Sequence, residues 1–286
     1  MTTTDTVEGT PDHGVLATPR GRRSSAPAAP ALPAELDTLT RRMRLPYLRA
    51  AAPDVLATAK AQRWDPAEVL RVLLTEEVIG RDAATRRTRR KAATFPAGKT
   101  FATWRAEQSS IPPGTQHGLA TLEWIGRAEN LAVAGPSGTG KSHFVEAIAN
   151  TAIDNDLRVA WFTLETLTAA IGRAKADGST ARTVARICRC DLIVVDDIGM
   201  LPAGQDAAEA FYRIVDAAYE RRSVAVTSNI HPSGFDTIMP KTLATATVDR
   251  LLHHAHLIIT NGDSHRLAQA VAGNGVKTLT EKPNRR

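Results

Sequence analysis

The sequence predicts an α/β protein with a five-stranded parallel sheet flanked by helices, preceded by a small all-α domain. Two patterns predict the sheet: short apolar runs alternate with helical stretches after position 128, and a glycine-rich loop follows the first run. A helical periodicity with a cationic end predicts the smaller domain. The predicted organisation is a disordered tail over 1–34, a helical domain over 35–94, a linker over 95–127, the α/β domain over 128–270 and a C-terminal tail over 271–286.

Positive charge is unevenly distributed along the 286 residues. The formal net charge is +6, and positions 36–105 hold fifteen Arg and Lys against seven Asp and Glu. This local excess favours a polyanionic partner. The two cysteines, Cys188 and Cys190, form neither a disulfide framework nor a complete metal site. No apolar run reaches the ~18–20 residues of a membrane span, and no signal peptide is recognisable. We therefore expect a cytoplasmic protein without a membrane segment.

The helical domain contains one strong helix start. Asp65 is predicted as the N-cap, Pro66 as the first helical residue and Glu68 as the third. A stripe that we expect to be buried follows, consisting of Val69, Leu70, Leu73, Leu74 and Val78. Past Gly80 the same helix becomes cationic, with Arg86, Arg87, Arg89, Arg90 and Lys91. The pattern indicates a small helical domain with an exposed basic end.

The α/β domain contains five runs that are apolar on both faces. Such runs are typical of parallel strands covered by helices on both sides of the sheet. They read NLAVAG (130–135), RVAWFTL (158–164), DLIVVDD (191–197), SVAVTSN (223–229) and AHLIITN (255–261).

The glycine-rich loop GPSGTGKS matches the pattern G-x-x-x-x-G-K-[ST] and lies between a predicted strand and a predicted helix. Its glycines allow backbone amides to curl round phosphate oxygens, and the helix N-terminus adds positive potential. Lys141 is expected to reach the β- and γ-phosphates, and Ser142 to ligate Mg²⁺. The predicted ATP-binding residues are Gly135, Pro136, Ser137, Gly138, Thr139, Gly140, Lys141 and Ser142.

Two carboxylates follow the third apolar run. Asp196 stands at the predicted C-terminal end of a buried strand, where it can hold the Mg²⁺ shell. Asp197 is the candidate for orienting or deprotonating the attacking water. Glu165, at the end of the second run, is a rival for that second role.

Two further polar residues complete the predicted site. Asn229 ends the fourth run, where its amide can contact the γ-phosphate or the water; a turn-forming asparagine is the alternative. Arg250 lies on a predicted helix before the last run, from which it can act on the γ-phosphate of a neighbouring subunit. A structural salt bridge, with Asp249 or another carboxylate, is the alternative for Arg250.

These motifs together resemble the IstB-like ATP-binding proteins of insertion sequences, which are relatives of the DnaC helicase loaders and of the AAA+ class. The resemblance covers roughly positions 36–270 and includes RLPYLRAAAP, ATRRTRRKAATFPAGKTF, LATLEWIGRAENLAVAGPSGTGKSH, IVVDDIG, VTSN and VDRLLHHAH. Two motifs depart from the family pattern: GKSH stands where the family usually has GKTH, and Gly262–Arg266 (GDSHR) stands where it usually has GESYR. The resemblance implies Arg266 as a candidate nucleotide sensor.

The resemblance implies a Mg²⁺-dependent AAA+ ATPase that assembles as a homo-oligomer on duplex DNA and assists a cognate transposase. It also implies roles in ATP binding and hydrolysis for the loop Gly135–Ser142, for Asp196 and Asp197, for Asn229, and for Arg250 as a finger acting in trans. A DnaC-like helicase loader, acting on single-stranded DNA and a replicative helicase, is the alternative. A small-molecule kinase and a DNA scaffold without turnover are weaker alternatives.

The resemblance gives the cationic helix end a physical role. Its five cations can neutralise DNA phosphates, which gives affinity without reading bases. A solvated helix end, or a docking face for an acidic partner, is the alternative. In the linker, Phe101 and Trp104 are expected to anchor the chain to the ATPase domain; stacking on bases is the second possibility.

Overall fold

The computed structural model describes residues 30–96, 98–200 and 203–265. The chain divides into two compact units, with the boundary between Arg81 and Asp82. The five predicted DNA-contacting cations therefore belong to the second unit. The expected tail over 271–286 and most of the tail over 1–34 lie outside the described residues.

The first unit consists of α1 (Ala34–Arg42), α2 (Pro46–Gln62) and the first part of α3 (Pro66–Ala93). The predicted start of α3 is confirmed, because Asp65 Oδ1 accepts a hydrogen bond from the Ala67 amide at 2.8 Å. The buried Glu77 carboxylate caps α2 by accepting from the amides of Tyr47 and Leu48, each at 2.9 Å. These bonds satisfy two of the donors that a helix N-terminus leaves without a partner.

The predicted burial of the α3 stripe is wrong for three of its five residues. Leu70, Leu74 and Val78 have 58%, 47% and 57% of their surface exposed. Within the described residues of this unit only two other helices are available to cover α3, and they leave this side of it open. Hydrophobic periodicity predicts which residues share a face, but the number of neighbouring helices decides whether that face is covered.

The second unit is built on one parallel sheet in the order β2-β3-β4-β1-β5. Every pairing in it is parallel. All five predicted strands are confirmed, as β1 (Asn130–Ala134), β2 (Val159–Thr163), β3 (Leu192–Ile198), β4 (Ser223–Ser228) and β5 (Ala255–Ile259).

Helices cover both faces of this sheet. Alternate residues of each strand point to opposite faces, and they contribute to two separate buried clusters. One cluster includes side chains of α4, α5 and α6, and the other includes side chains of α7, α8, α9 and α10. The helices are α4 (Pro113–Ala120), α5 (Glu123–Gly126), α6 (Lys141–Asp154), α7 (Leu164–Ala176), α8 (Thr180–Ile187), α9 (Gln205–Ala218) and α10 (Lys241–Leu252).

The predicted linker packs against the α/β core through aromatic side chains. The ring of Phe101 meets Phe144 of α6 edge-on, with centroids 5.9 Å apart. Phe95 meets Trp161 of β2 in the same way at 5.8 Å. This packing is the anchoring that the sequence suggested. None of the helices in the described part of the chain is long and apolar enough to cross a membrane.

Candidate nucleotide-binding site

The glycine-rich loop connects β1 to α6 and takes a conformation that only glycine adopts easily. Gly135 has φ +144° and Gly140 has φ +89°. A Cβ on Gly135 would lie 2.2 Å from the carbonyl oxygen of Thr260, and one on Gly140 would lie 3.1 Å from the Trp104 ring. The backbone angles favour glycine at both positions, and at Gly135 the close contact also excludes a side chain. The loop ends where α6 begins, at Lys141, so backbone N–H groups of the first helical turn face the cleft.

Lys141 is buried beneath this loop. Its ammonium donates to the carbonyl oxygens of Gly135 and Pro136, each at 2.8 Å, and to the Asn229 side-chain oxygen at 3.0 Å. Lys141 thus lies at the centre of the loop, and the acceptors in these three hydrogen bonds are all neutral oxygens. This placement suits an anionic ligand, because a phosphate oxygen is a stronger acceptor for an ammonium than a neutral carbonyl is.

Ser142 and Asp196, the two predicted Mg²⁺ ligands, lie together. The Ser142 hydroxyl donates to Asp196 Oδ1 at 2.9 Å. Asp196 lies near the C-terminal end of β3 and only 4% of its surface is exposed. A buried carboxylate beside a hydroxyl is the kind of all-oxygen donor set that Mg²⁺ prefers. The residues present therefore fit the ion.

Asp197 has a different environment from Asp196. It is exposed and lines the cleft beside the loop, together with Asn229 and Ser142. Its backbone is left-handed, with φ +61°, and the β3–β4 register shifts between Val195 and Ile198. The irregularity turns the Asp197 side chain out of the alternation of the strand. Glu165, in the first turn of α7, is not among the described residues that line this cleft.

Asn229 follows the C-terminal end of β4. Its amide N–H donates to the Ile198 carbonyl at 3.0 Å, which fixes the backbone beside the end of β3. Its side-chain oxygen accepts from Lys141. The structure thus brings Asn229, Lys141, Ser142, Asp196 and Asp197 to one end of the sheet. Because the carboxyl ends of parallel strands meet at one edge, this convergence follows from the topology.

Arg250 is placed away from this cleft in its own chain. It lies on α10, and its guanidinium pairs with Asp216 of α9 at 2.9 Å. The same group lies over the Tyr212 ring, 5.4 Å from the centroid. The salt bridge that the sequence left open as an alternative is therefore present, with Asp216 instead of Asp249. The pairing places the guanidinium on the outside of the unit, 32% exposed.

Trp104 forms a wall of the cleft that the sequence did not predict. Its ring meets the His143 ring edge-on at 5.2 Å, and its indole nitrogen donates to the buried Gln116 at 2.8 Å. Burial lowers the pKa of His143 below its ordinary value, so the imidazole beside the loop is neutral at physiological pH. The sequence did contain a signal for this contact, because Trp104 stands close to Phe101 on the N-terminal side of the phosphate-binding loop.

The opposite side of the loop meets the segment that follows β5. The His265 amide donates to the Gly138 carbonyl at 3.1 Å. Arg266, the candidate nucleotide sensor, lies outside the described residues.

Three of the five predicted DNA-contacting cations are engaged with the C-terminal end of α6. The Arg89 guanidinium donates to the Asp156 carbonyl at 2.5 Å and lies 3.1 Å from its carboxylate. Arg86 lies 3.6 Å from the same carboxylate, and Arg90 pairs with Asp154. The other two, Arg87 and Lys91, are exposed, and the ion pairs seen among the described residues do not include them.

Comparison with known proteins places this site in a family. The sequence profile of the IstB-like ATP binding protein family matches residues 38–272. The ATP-binding protein of insertion sequence IS21 from Pseudomonas aeruginosa is 31% identical over 240 residues, which cover 82% of this chain and 89% of that protein. The corresponding protein of IS5376 from Geobacillus stearothermophilus is 27% identical over 230 residues, covering 80% and 92%.

Solved structures give a weaker likeness. The DnaC helicase loader is 14% identical, with a TM-score of 0.47, over 58% of this chain and 98% of that chain. The replication initiator DnaA, bound to AMPPCP and single-stranded DNA, is 17% identical with a TM-score of 0.48, over 65% and 58%. These values say nothing about the activity of this chain. The family profile and the relatives, in contrast, span most of its length, and the chain therefore belongs to the family of IstB-like ATP-binding proteins.

Proposed function

We propose that this chain is a Mg²⁺-dependent ATPase that assembles on duplex DNA and assists the transposase of its insertion sequence. One observation carries the proposal: the loop lysine, the Ser142–Asp196 pair and Asn229 converge at one end of the sheet. Family membership supplies the context of transposition, because the relatives are ATP-binding proteins of insertion sequences.

In the proposed site, the loop amides and Lys141 bind the phosphates of ATP. Ser142 and Asp196 would hold Mg²⁺, which neutralises charge on the phosphate oxygens when it is bound. The neutral oxygens that now accept from Lys141 would give way to phosphate oxygens. The exchange is favourable because a cationic ammonium attracts a negatively charged phosphate oxygen more strongly than it attracts a neutral carbonyl or amide oxygen.

Hydrolysis requires a water molecule aligned with the terminal phosphate. Asp197 is the proposed base, since it is the exposed carboxylate of the cleft and can accept a proton from that water. Asn229 is proposed to orient the same water or the γ-phosphate through its amide group. Its contact with Lys141, the residue proposed to bind the phosphates, supports this role.

Arg250 is proposed as the residue that completes the site of a neighbouring subunit. In its own chain the guanidinium lies on the outer surface, held by Asp216 and Tyr212. An arginine held in this way is positioned before the neighbour arrives, so less side-chain entropy is lost on contact. This role requires a homo-oligomer, since Arg250 does not line the cleft of its own chain.

The basic end of α3 is proposed as a DNA-phosphate contact. Arg87 and Lys91 are its accessible cations, and they lie four residues apart, on one side of the helix. Arg86, Arg89 and Arg90 would add to the positive field, but their guanidiniums are shared with Asp154 and Asp156. Contacts of this kind bind any sequence, which suits a factor that meets many target sites.

Sedimentation velocity with labelled duplex or single-stranded DNA, each with and without ATP, tests this proposal. We expect a large complex only with duplex DNA and ATP, and none with the Lys141→Ala variant. Adding the cognate transposase should shift the duplex complex to a higher sedimentation coefficient. A preference for single-stranded DNA would instead favour a helicase loader, and the absence of any ATP-dependent complex would refute the assembly model.

A further inference from the structure

Thr227, in β4, contacts both carboxylate residues of β3. Its side chain is fully buried, with 0% of its surface exposed. The hydroxyl donates a hydrogen bond to Asp196 Oδ1. It also accepts a hydrogen bond from the Asp197 amide at 3.0 Å. A hydroxyl has one proton to donate and lone pairs to accept, so both bonds form at once, with the carboxylate as acceptor and the amide as donor.

The first bond fixes the Asp196 carboxylate. Its Oδ1 accepts from Thr227 on one strand and from Ser142 on α6. Two donors from two different elements hold the carboxylate in one orientation, which a single donor would leave free to rotate about its last torsion. The orientation of a metal-binding carboxylate is set by such neighbouring donors.

The second bond stabilises the left-handed backbone conformation of Asp197. Asp197 has φ +61°, a left-handed conformation that residues with a side chain rarely adopt. The register shift between Val195 and Ile198 removes the regular ladder bond at this point, and the Thr227 hydroxyl accepts the amide proton instead. The same side chain therefore fixes both the metal-binding carboxylate and the direction of its neighbour.

We infer that Thr227 is a positioning residue that sets the geometry of Asp196 and Asp197 for Mg²⁺ and for the attacking water. The inference rests on the proposed ATPase function and deepens it. Thr227 itself does not touch the nucleotide cleft, because it is buried beneath the two aspartates. In the sequence it reads only as a β-branched strand residue.

Two variants of the full chain, Thr227→Val and Thr227→Ser, distinguish the effect of the hydroxyl on the two aspartates from the effect of the side chain on core packing. Valine keeps the shape and removes the hydroxyl, so the Asp197 amide and Asp196 Oδ1 each lose a partner. Serine keeps the hydroxyl and removes a methyl group. Thr247→Val is a matched control, since Thr247 is also a fully buried threonine, and its hydroxyl has no hydrogen-bond partner among the described residues.

Two quantities are measured for each variant: the affinity for a fluorescent ATP analogue in EDTA and in Mg²⁺, and the kcat and KM of ATP hydrolysis. For Thr227→Val we expect affinity in EDTA within about twofold of the parent, and a Mg²⁺-dependent gain in affinity smaller by roughly 10-fold. We also expect kcat to fall roughly 10- to 100-fold, the loss expected for hydrogen bonds to a charged group. Thr227→Ser and Thr247→Val should keep the Mg²⁺ response of the parent.

An unchanged Mg²⁺ response in Thr227→Val would overturn the inference, as would equal loss in Thr227→Ser. If Thr227→Val does not fold, Thr227→Ala is compared with Thr227→Ser by the same two titrations, with the same expected contrast. A parent protein that neither hydrolyses ATP nor responds to Mg²⁺ would refute the proposed function instead, so the two failures are distinguishable.

Discussion

The Lys141 ammonium donates to the Asn229 side-chain oxygen across 3.0 Å, which connects the first residue of α6 to the end of β4. The same ammonium holds the carbonyl oxygens of Gly135 and Pro136. The lysine therefore stabilises the curved loop as well as offering its charge to a ligand. Asn229 in turn is held in place by the residue that is proposed to meet the phosphates.

Replacing Lys141 with alanine should remove most nucleotide affinity. The loss combines the charge offered to the phosphates with the bonds that keep the loop curved, so we expect roughly a 10- to 100-fold weaker Kd. Titration with a fluorescent ATP analogue measures this. Lys241→Ala, at an exposed position in the first turn of α10, is the control and should bind like the parent. Binding by Lys141→Ala within twofold of the parent would contradict the placement of phosphates at this loop.

Trp104 should report nucleotide binding by its fluorescence. Its ring lies against Gly140 and His143, so a ligand that enters the loop changes its surroundings. Of the other three tryptophans, Trp124 and Trp161 are buried in the core and Trp64 is not among the described residues that line the cleft, so all three should be insensitive. We expect ATP to change the tryptophan emission of the parent but not of Trp104→Phe. An equal change in both proteins would place the ligand elsewhere.

Arg250→Ala and Asp216→Asn break the same ion pair but differ in what remains. If Arg250 acts on a neighbouring subunit, Arg250→Ala should bind ATP normally and lose turnover by roughly 10³-fold or more. Asp216→Asn keeps the guanidinium and should retain most turnover. Phosphate release and nucleotide binding are measured in parallel. Normal turnover in Arg250→Ala would leave the arginine with only its structural pairing.

Arg87→Ala with Lys91→Ala should weaken duplex binding and reduce its salt dependence. Each lost phosphate contact reduces the slope of log K against log salt by about 0.9, so the double variant should lose roughly 2 units. Fluorescence anisotropy over a salt series measures the slope. Arg89→Ala is the contrasting variant, because Arg89 is paired with Asp156. We expect it to lower the free energy of unfolding by up to about 1 kcal/mol and to change the slope less. An unchanged slope in the double variant would show that both cations are solvated and contact no DNA phosphate.

Local signals in the sequence were sufficient for most of the second unit. The five strands were predicted because each is a short apolar run that ends in a polar residue. The loop was predicted because its glycines and Lys141 stand between a strand and a helix. The start of α3 at Pro66 was predicted from its capping residue, Asp65. Membership of the IstB-like family confirms the resemblance that these motifs suggested.

Features that depend on distant contacts were missed. Arg89 is separated from Asp156 by 67 positions, and no local pattern indicates that the two meet. The left-handed backbone of Asp197 is also hidden, since a carboxylate pair at the end of a strand does not indicate a register shift. Thr227 and Trp104 acquire their contacts only once the sheet and the linker are assembled. Leu70 was predicted to be buried but is exposed. Periodicity alone does not reveal how many helices surround a face.

Helix α6 is a single uninterrupted rod with a different charged group at each end. Its 14 residues span about 21 Å. Lys141 and the loop stand at its N-terminal end, and Asp154 with the following Asp156 meets three arginines of α3 beyond its C-terminal end. A tilt of about 3° on filling the loop would move the far end of such a rod by about 1 Å. That displacement is comparable to the tolerance of a hydrogen bond. Nucleotide binding at the loop and the ion pairs that hold the basic end of α3 would then be coupled through α6.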